Sequence, residues 1–347
     1  MPGEVVARAP GKVILFGEHA INRGQPALSA CIGLYATCRL RQTDAAGIVF
    51  RSDAANYAEL RMERAEVLAL GNAVDRFRKF EDYESIRELA RRDFFAPQQY
   101  ILASALRDSL PLGLELEFSS DIPRAGGLGS GGAAFAALAT ALGAWTGLSE
   151  ERERIADWAH RGDIVAHGGI ASRLDSQTSL CGGVIRFTTA AGLGEPVPFH
   201  PGLTLVIGNT GVIGATSEVN SRVRRWLAES PDGRMRYFET IGLLSRTALG
   251  ALRTGDWPEL GRLMTLNQLV LEKLGVSSPE LERLIDAALA AGAYGAKLAG
   301  SGGGGIMVAL TDGVHASAVT GAIQASGGEP LTPKLAVPGA TLISDTI

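Results

Sequence analysis

The stretch Ile122-Pro123-Arg124-Ala125-Gly126-Gly127-Leu128-Gly129-Ser130-Gly131-Gly132 places five glycines in the seven positions 126–132 and runs directly into the alanine-rich segment 133–145. That segment reads as a buried helix too short to span a bilayer. A glycine-rich turn entering a helix is a ready anion site. The first helical N–H groups have no intrahelical partner, the helix dipole adds partial positive charge, and a residue without Cβ lets an oxyanion come close. An ordinary helix entry needs one glycine. Five carry an entropic cost with no return in packing, which points to phosphate binding.

The kind of phosphate binder can be narrowed. Gly127, Gly129 and Gly132 fit GxGxxG, but so do Gly300, Gly302 and Gly305, so the pattern discriminates little. A dinucleotide fold wants its strand to run straight into the glycines. Here the alternating strand LELEF (114–118) is followed by residues 119–125, with Pro123 among them. GxxxxGK[ST] is absent.

Two further segments carry polar groups where chemistry needs them. Pro10-Gly11-Lys12-Val13-Ile14-Leu15-Phe16-Gly17-Glu18-His19-Ala20 reads as a strand with Lys12 at its start and Glu18 and His19 just past its end. Three such groups suit a polyhydroxy or carboxylate ligand. Ala296-Lys297-Leu298-Ala299-Gly300-Ser301-Gly302-Gly303-Gly304-Gly305-Ile306 reads as strand, glycine loop, strand, and the loop must bend tightly against something.

Around these segments the chain is ordinary and globular. It has 347 residues, 46% hydrophobic and 20% charged, enough for two domains. A formal net charge of −4 with no basic run argues against nucleic acid or a membrane surface as partner. Cys31, Cys38 and Cys181, without CxxC spacing, read as reduced thiols. The start has no signal-peptide character and no long apolar span occurs, so a cytoplasmic protein is expected. Strands are expected at 5–8 and 12–16 around a turn at 9–11, and at 34–41, 47–51, 57–62, 183–187 and 203–208. Helices are expected in pieces over 63–92 and at 98–109, 149–167, 216–229, 234–254, 258–274, 279–291 and 315–325. A Gly/Pro-rich linker at 188–202 divides the chain into domains 1–190 and 191–347, both mixed α+β.

In order and spacing, PGKVILFGEHA, PxxxGLGSxxA and KLAGSGGGG resemble the three motifs of the GHMP kinases, over nearly the whole chain. Within that family the first motif is most similar to that of mevalonate kinases; galactokinases tend to carry Arg at the position of Lys12. The resemblance implies an N-terminal α/β domain and a ferredoxin-like C-terminal domain with the active site in the cleft between them. It implies an ATP- and Mg²⁺-dependent kinase acting on mevalonate, and a homodimer is the expected assembly. Ala125, Gly126, Gly127, Leu128, Gly129, Ser130 and Gly131 would wrap the ATP phosphates.

The family pattern also makes residues 162–175 readable: Asp163 falls at the metal position, with Ser130, and Asp175 at the catalytic carboxylate. Lys12 would keep Asp175 ionised. Glu18, His19 and Thr216 would orient the substrate together with Lys12 and Asp175. Two departures stand out. The segment after His167 is one residue longer than the family's HGxPSGxD and lacks its proline. The second serine of the family's GLGSS, which joins the Mg²⁺ shell, is Gly131 here, so water or Ser130 is expected in its place. The rival readings are another GHMP enzyme (phosphomevalonate kinase, a related decarboxylase or a sugar kinase) and a non-catalytic nucleotide-binding protein on this fold.

Overall fold

A computed structural model describes residues 3–53, 59–123, 127–190, 192–200, 202–214 and 216–343, with Thr216 and Ser217 described by their backbone alone. The chain builds two sheets. The first takes β1 (Glu4–Phe16), β2 (Ala27–Gln42), β3 (Gly47–Ser52), β4 (Glu59–Met62), β5 (Gly113–Ser120), β6 (Val184–Phe187), β7 (Glu195–Val197) and β12 (Thr341–Leu342). Its main order is β12-β1-β2-β5-β3-β4, with β6 joining β2 and β7. Only β3 and β5 run parallel among these pairs. Helices α1 (Arg64–Lys79), α2 (Tyr83–Arg92), α3 (Ala96–Leu106), α4 (Ser130–Thr146), α5 (Arg152–Ala166) and α6 (Leu174–Cys181) belong to this half.

The second sheet, β11-β8-β10-β9, is antiparallel throughout and contains β8 (Thr204–Asn209), β9 (Gly295–Ala299), β10 (Ile306–Thr311) and β11 (Glu329–Leu331). Its connections run β8, helices α7 (Thr216–Glu229), α8 (Pro231–Thr254), α9 (Trp257–Lys273) and α10 (Pro279–Ala290), then β9, β10, α11 (Ala316–Ala325) and β11. That is the βαββαβ order of a ferredoxin-like sheet, with a four-helix first crossover. After β11 the chain returns to the first sheet, where Leu342 pairs with Ala7 and Leu335 bridges Ile32.

The expected turn at 9–11 is not a turn. β1 continues through Pro10, with a register shift between Pro10 and Gly11. A bulge tolerates the missing proline N–H, and Gly11 is pressed against the next layer: a Cβ there would lie 2.9 Å from the Leu128 carbonyl oxygen. Residues 174–181, with no helical signal in the residues alone, form α6. The linker region 188–202 contains β7.

One apolar core fills the first half, with Phe50, Phe95, Phe135, Trp145 and Trp158 in it. A second core runs between the sheets: Val13, Leu15 and Leu28 of the first half share it with Leu205, Leu263, Ile306 and Val308 of the second. The phosphate-loop residue Leu128 and Ala133 of α4 sit in this shared core, so the glycine turn is clamped where the halves meet. Among the described residues no helix is long and apolar enough to cross a membrane.

Candidate active site

The first and second motifs meet through backbone. The Lys12 N–H donates to the Leu128 carbonyl at 2.8 Å. Gly129 is the N-cap of α4 in the left-handed region, φ 74°, and no side chain caps the helix. The Lys12 side chain lies across Gly129, where a Cβ would fall 2.8 Å from Cγ and 2.9 Å from Cε. Any other residue at 129 would therefore be strained in backbone and in contact with the lysine. The lysine, 4% exposed, reaches Asp175: Nζ to Oδ1 is 2.9 Å, and the Asp175 side chain is 27% exposed. Asp175 stands in the first turn of α6, where the dipole favours a carboxylate. Burial would raise its pKa, but the charges of Lys12 and then His167 outweigh burial and hold it below the ordinary carboxylate range. Gly132 lets α4 touch α6, since a Cβ there would sit 2.9 Å from the Asp175 backbone carbon and Cβ. An uncapped helix N-terminus, a cation and an ionised carboxylate thus share one place.

The third motif closes over the other two. Gly127 (φ 73°) abuts the Ala299 carbonyl, 3.2 Å from where its Cβ would be. His19 Nε2 is hydrogen-bonded to the Ser301 carbonyl at 2.9 Å. Glu18 forms a fully buried ion pair with Lys297, whose Nζ also donates to the Leu298 carbonyl at 2.5 Å. Burial pushes the Glu18 carboxyl up and the Lys297 ammonium down, each opposed by the attraction of the other. His19 is buried, and desolvation lowers its pKa to about 4, so it is neutral at physiological pH. The loop is packed and not a loose hairpin: the Gly303 N–H donates to the Val276 carbonyl and the Gly305 N–H to the Val212 carbonyl, at 2.8 and 2.7 Å.

Asp163, on α5, is fully buried, and neither carboxylate oxygen has a hydrogen-bond partner. His160 Nδ1 lies 4.0 Å from Oδ2. His167 is bonded through Nδ1 to the Asp163 carbonyl at 2.9 Å. A buried carboxylate left without donors has the character of a cation ligand. Among the described residues no cluster of three or more His, Cys, Asp or Glu could hold a metal by itself.

Lys12 therefore touches Leu128, Gly129 and Asp175, Gly127 abuts Ala299 of the third motif, and Glu18 and His19 bind Lys297 and Ser301 of that motif. Ser130 opens α4 and Gly131 is exposed in its first turn. Ala125 and Gly126 lie outside the described residues, as does the side chain of Thr216, whose backbone starts α7. Sequence reading missed Lys297 as the partner of Glu18; its only signal was its place at the head of KLAGSGGGG. It also missed His167, which lies within the segment quoted around Asp163.

Residues 99–183 match the GHMP kinases N terminal domain, and residues 248–329 match GHMP kinases C terminal. A mevalonate kinase of Pyrococcus horikoshii is 33% identical over 341 residues, covering 96% of each chain. L. major mevalonate kinase, solved in complex with R-mevalonate, superposes with a TM-score of 0.74 at 25% identity, covering 97% of both chains. Lactococcus lactis galactokinase, complexed with galactose, superposes with a TM-score of 0.76 at 17% identity, covering 97% of this chain and 95% of its own. The fold is thus common to kinases of different acceptors, and only the sequence likeness separates them. With both halves matched and full-length relatives at this identity, the chain belongs to the GHMP kinase family.

Proposed function

We propose that the protein transfers the γ-phosphoryl group of ATP to the primary hydroxyl of mevalonate, giving 5-phosphomevalonate and ADP. The observation that carries this reading is the 2.9 Å Lys12–Asp175 pair set against the uncapped start of α4. The 33% identity to a mevalonate kinase over the whole chain supports the choice of acceptor.

Phosphoryl transfer needs positioning and charge stabilisation more than covalent chemistry. In this reading, residues 125–131 and the first N–H groups of α4 hold the triphosphate. Asp175, kept ionised by Lys12, accepts the proton of the acceptor hydroxyl as its oxygen bonds to the γ-phosphorus. The bond from that phosphorus to the β–γ bridging oxygen breaks, and ADP leaves. Lys12 stabilises the charge on the transferring group. Glu18, His19 and Thr216 orient the acceptor; support comes from Glu18 Oε2, buried and without a partner, and from the anchoring of His19 to Ser301. Asp163 and Ser130 would hold Mg²⁺, which when bound neutralises charge on the β and γ phosphates.

A phosphorylated acceptor calls for cations beyond Lys12, and Arg124, Arg173 and Arg186 are candidates. Arg173 pairs with Asp157 at 2.6 Å and Arg186 with Glu195 at 2.8 Å, so these two are already matched by carboxylates. Arg124 lies outside the described residues. A coupled ADP assay on mevalonate, phosphomevalonate, galactose and homoserine tests the reading. Turnover with mevalonate alone supports it, and turnover restricted to another acceptor overturns it. ATP binding without turnover on any of them would favour the non-catalytic reading. A cytoplasmic homodimer completes the proposal. Its support is the exposed apolar face of α8 and α9, with Leu243, Leu266 and Leu269, and sedimentation tests it.

A further inference from the structure

Nothing polar holds the Asp163 carboxylate: it is fully buried, and neither of its oxygens has a hydrogen-bond partner. Its place relative to the glycine turn is therefore set by how α5 packs on α4. Phe135 sits at that packing. It stands in the second turn of α4, is 3% exposed, and belongs to the core of the first half. A helical side chain leans back toward the start of its helix, and the far edge of this ring lies over the first turn. A Cβ on Gly131 would be 3.6 Å from Cε2 and 3.7 Å from Cζ. The root of the same ring presses on α5, where a Cβ on Gly162 would fall 2.5 Å from Cγ and 2.7 Å from Cδ2. Asp163 follows Gly162 directly.

One rigid ring thus touches both the turn that opens α4 and the backbone that carries the acid. In a close-packed interior an aromatic ring cannot be compressed, so it acts as a spacer of fixed size. Gly162 lets α5 come down onto it, because a side chain there would collide with the ring and with Ile101 Cδ1 of α3, 2.8 Å away. Gly131 offers no side-chain oxygen. The reach from Asp163 to anything bound at the turn then depends on the separation of the two helices.

We propose that Phe135 is a positioning residue: its ring fixes the separation of α4 and α5, and with it the reach from Asp163 to a divalent cation on the ATP phosphates. The assignment rests on the reading of Asp163 as a metal ligand. Mn²⁺ is the probe. Its binding is followed by electron paramagnetic resonance with the protein saturated by a non-hydrolysable ATP analogue, so no turnover is needed. Phe135→Leu weakens Mn²⁺ about tenfold, the lower end of what loss of support around a metal ligand costs. Gly162→Ala, which lifts α5 off the ring from the other side, weakens it likewise. In the double variant the added methyl takes up space that the smaller side chain vacates, and most of the Mn²⁺ affinity returns. Phe95→Leu is the control. Phe95 is equally buried in the same core, so its truncation lowers urea stability and leaves Mn²⁺ affinity where it was. Mn²⁺ affinity unchanged in whichever of Phe135→Leu and Gly162→Ala folds, or lowered as much in Phe95→Leu, overturns the assignment while leaving the metal reading intact. Wild type and Asp163→Asn binding Mn²⁺ alike would refute the metal reading itself, and this assignment falls with it.

Discussion

Lys297→Met would leave Glu18 alone in the interior. Both side chains are fully buried, 279 residues apart in sequence, and together they join the end of β1 to the third glycine loop. Removing one partner of a buried ion pair costs about 3–5 kcal/mol, because the survivor keeps its desolvation penalty and loses its compensation. The Lys297 ammonium also leaves the Leu298 carbonyl without its donor at 2.5 Å. With a urea m-value near the upper end of the usual range, about 3 kcal/mol/M, the unfolding midpoint falls by roughly 1–1.7 M. The double variant Glu18→Met/Lys297→Met replaces the pair with apolar chains of similar length and recovers most of that loss. Urea unfolding of wild type, both single variants and the double variant closes the cycle. A loss below about 1 kcal/mol in Lys297→Met would refute the reasoning. So would a double variant as unstable as the two singles summed.

Other outcomes follow from the same geometry. Gly132→Ala drives a methyl into the Asp175 backbone at 2.9 Å; stability falls by about 1–3 kcal/mol and kcat by about a hundredfold as α6 is displaced from Lys12, measured by unfolding and ADP release. Gly131→Ser meets only the Phe135 ring, at 3.6 and 3.7 Å, so the protein folds as before while half-maximal activity needs less Mg²⁺; an unchanged Mg²⁺ titration would mean that position 131 is remote from the ion. His19 titrates near 4 folded against 6.5 unfolded. The unfolded chain therefore takes up the proton first, and the stabilisation, complete above pH 6.5, is lost as pH falls from 6.5 to 4, by at most about 1.4 kcal/mol per unit. His19→Gln should flatten that part of the urea stability profile. The corresponding loss from Asp175, whose pKa is lowered when folded, begins only below its unfolded value of 3.8.

What could be read from the chain was what is local. Glycine density at 126–132 and 300–305 signalled loops pressed against something, and Gly127 does abut the Ala299 carbonyl. The two-domain α+β plan followed from strands and helices mixing in both halves, and the ferredoxin-like character of the second sheet, ordered β11-β8-β10-β9, from the family resemblance. What escaped reading depends on contacts distant in sequence. Pro10 looks like a turn residue until the bulge beside Gly11 is set against Leu128. Residues 174–181 carry no helical signal of their own, and α6 is held by its packing on α4 and against β1 and β2. The Glu18–Lys297 pair is invisible to any local rule, since neither residue has a helical or strand neighbour of opposite charge to announce it. Asp163 and Asp175 looked like surface charges without the family pattern; burial and Lys12 distinguish them.

The most direct measurement is a crystal structure with a non-hydrolysable ATP analogue and mevalonate. The expected result places the triphosphate on residues 125–131 at the start of α4 and the primary hydroxyl of mevalonate within hydrogen-bond reach of Asp175. A triphosphate bound away from that loop, or a hydroxyl directed away from Asp175, would contradict the assignment.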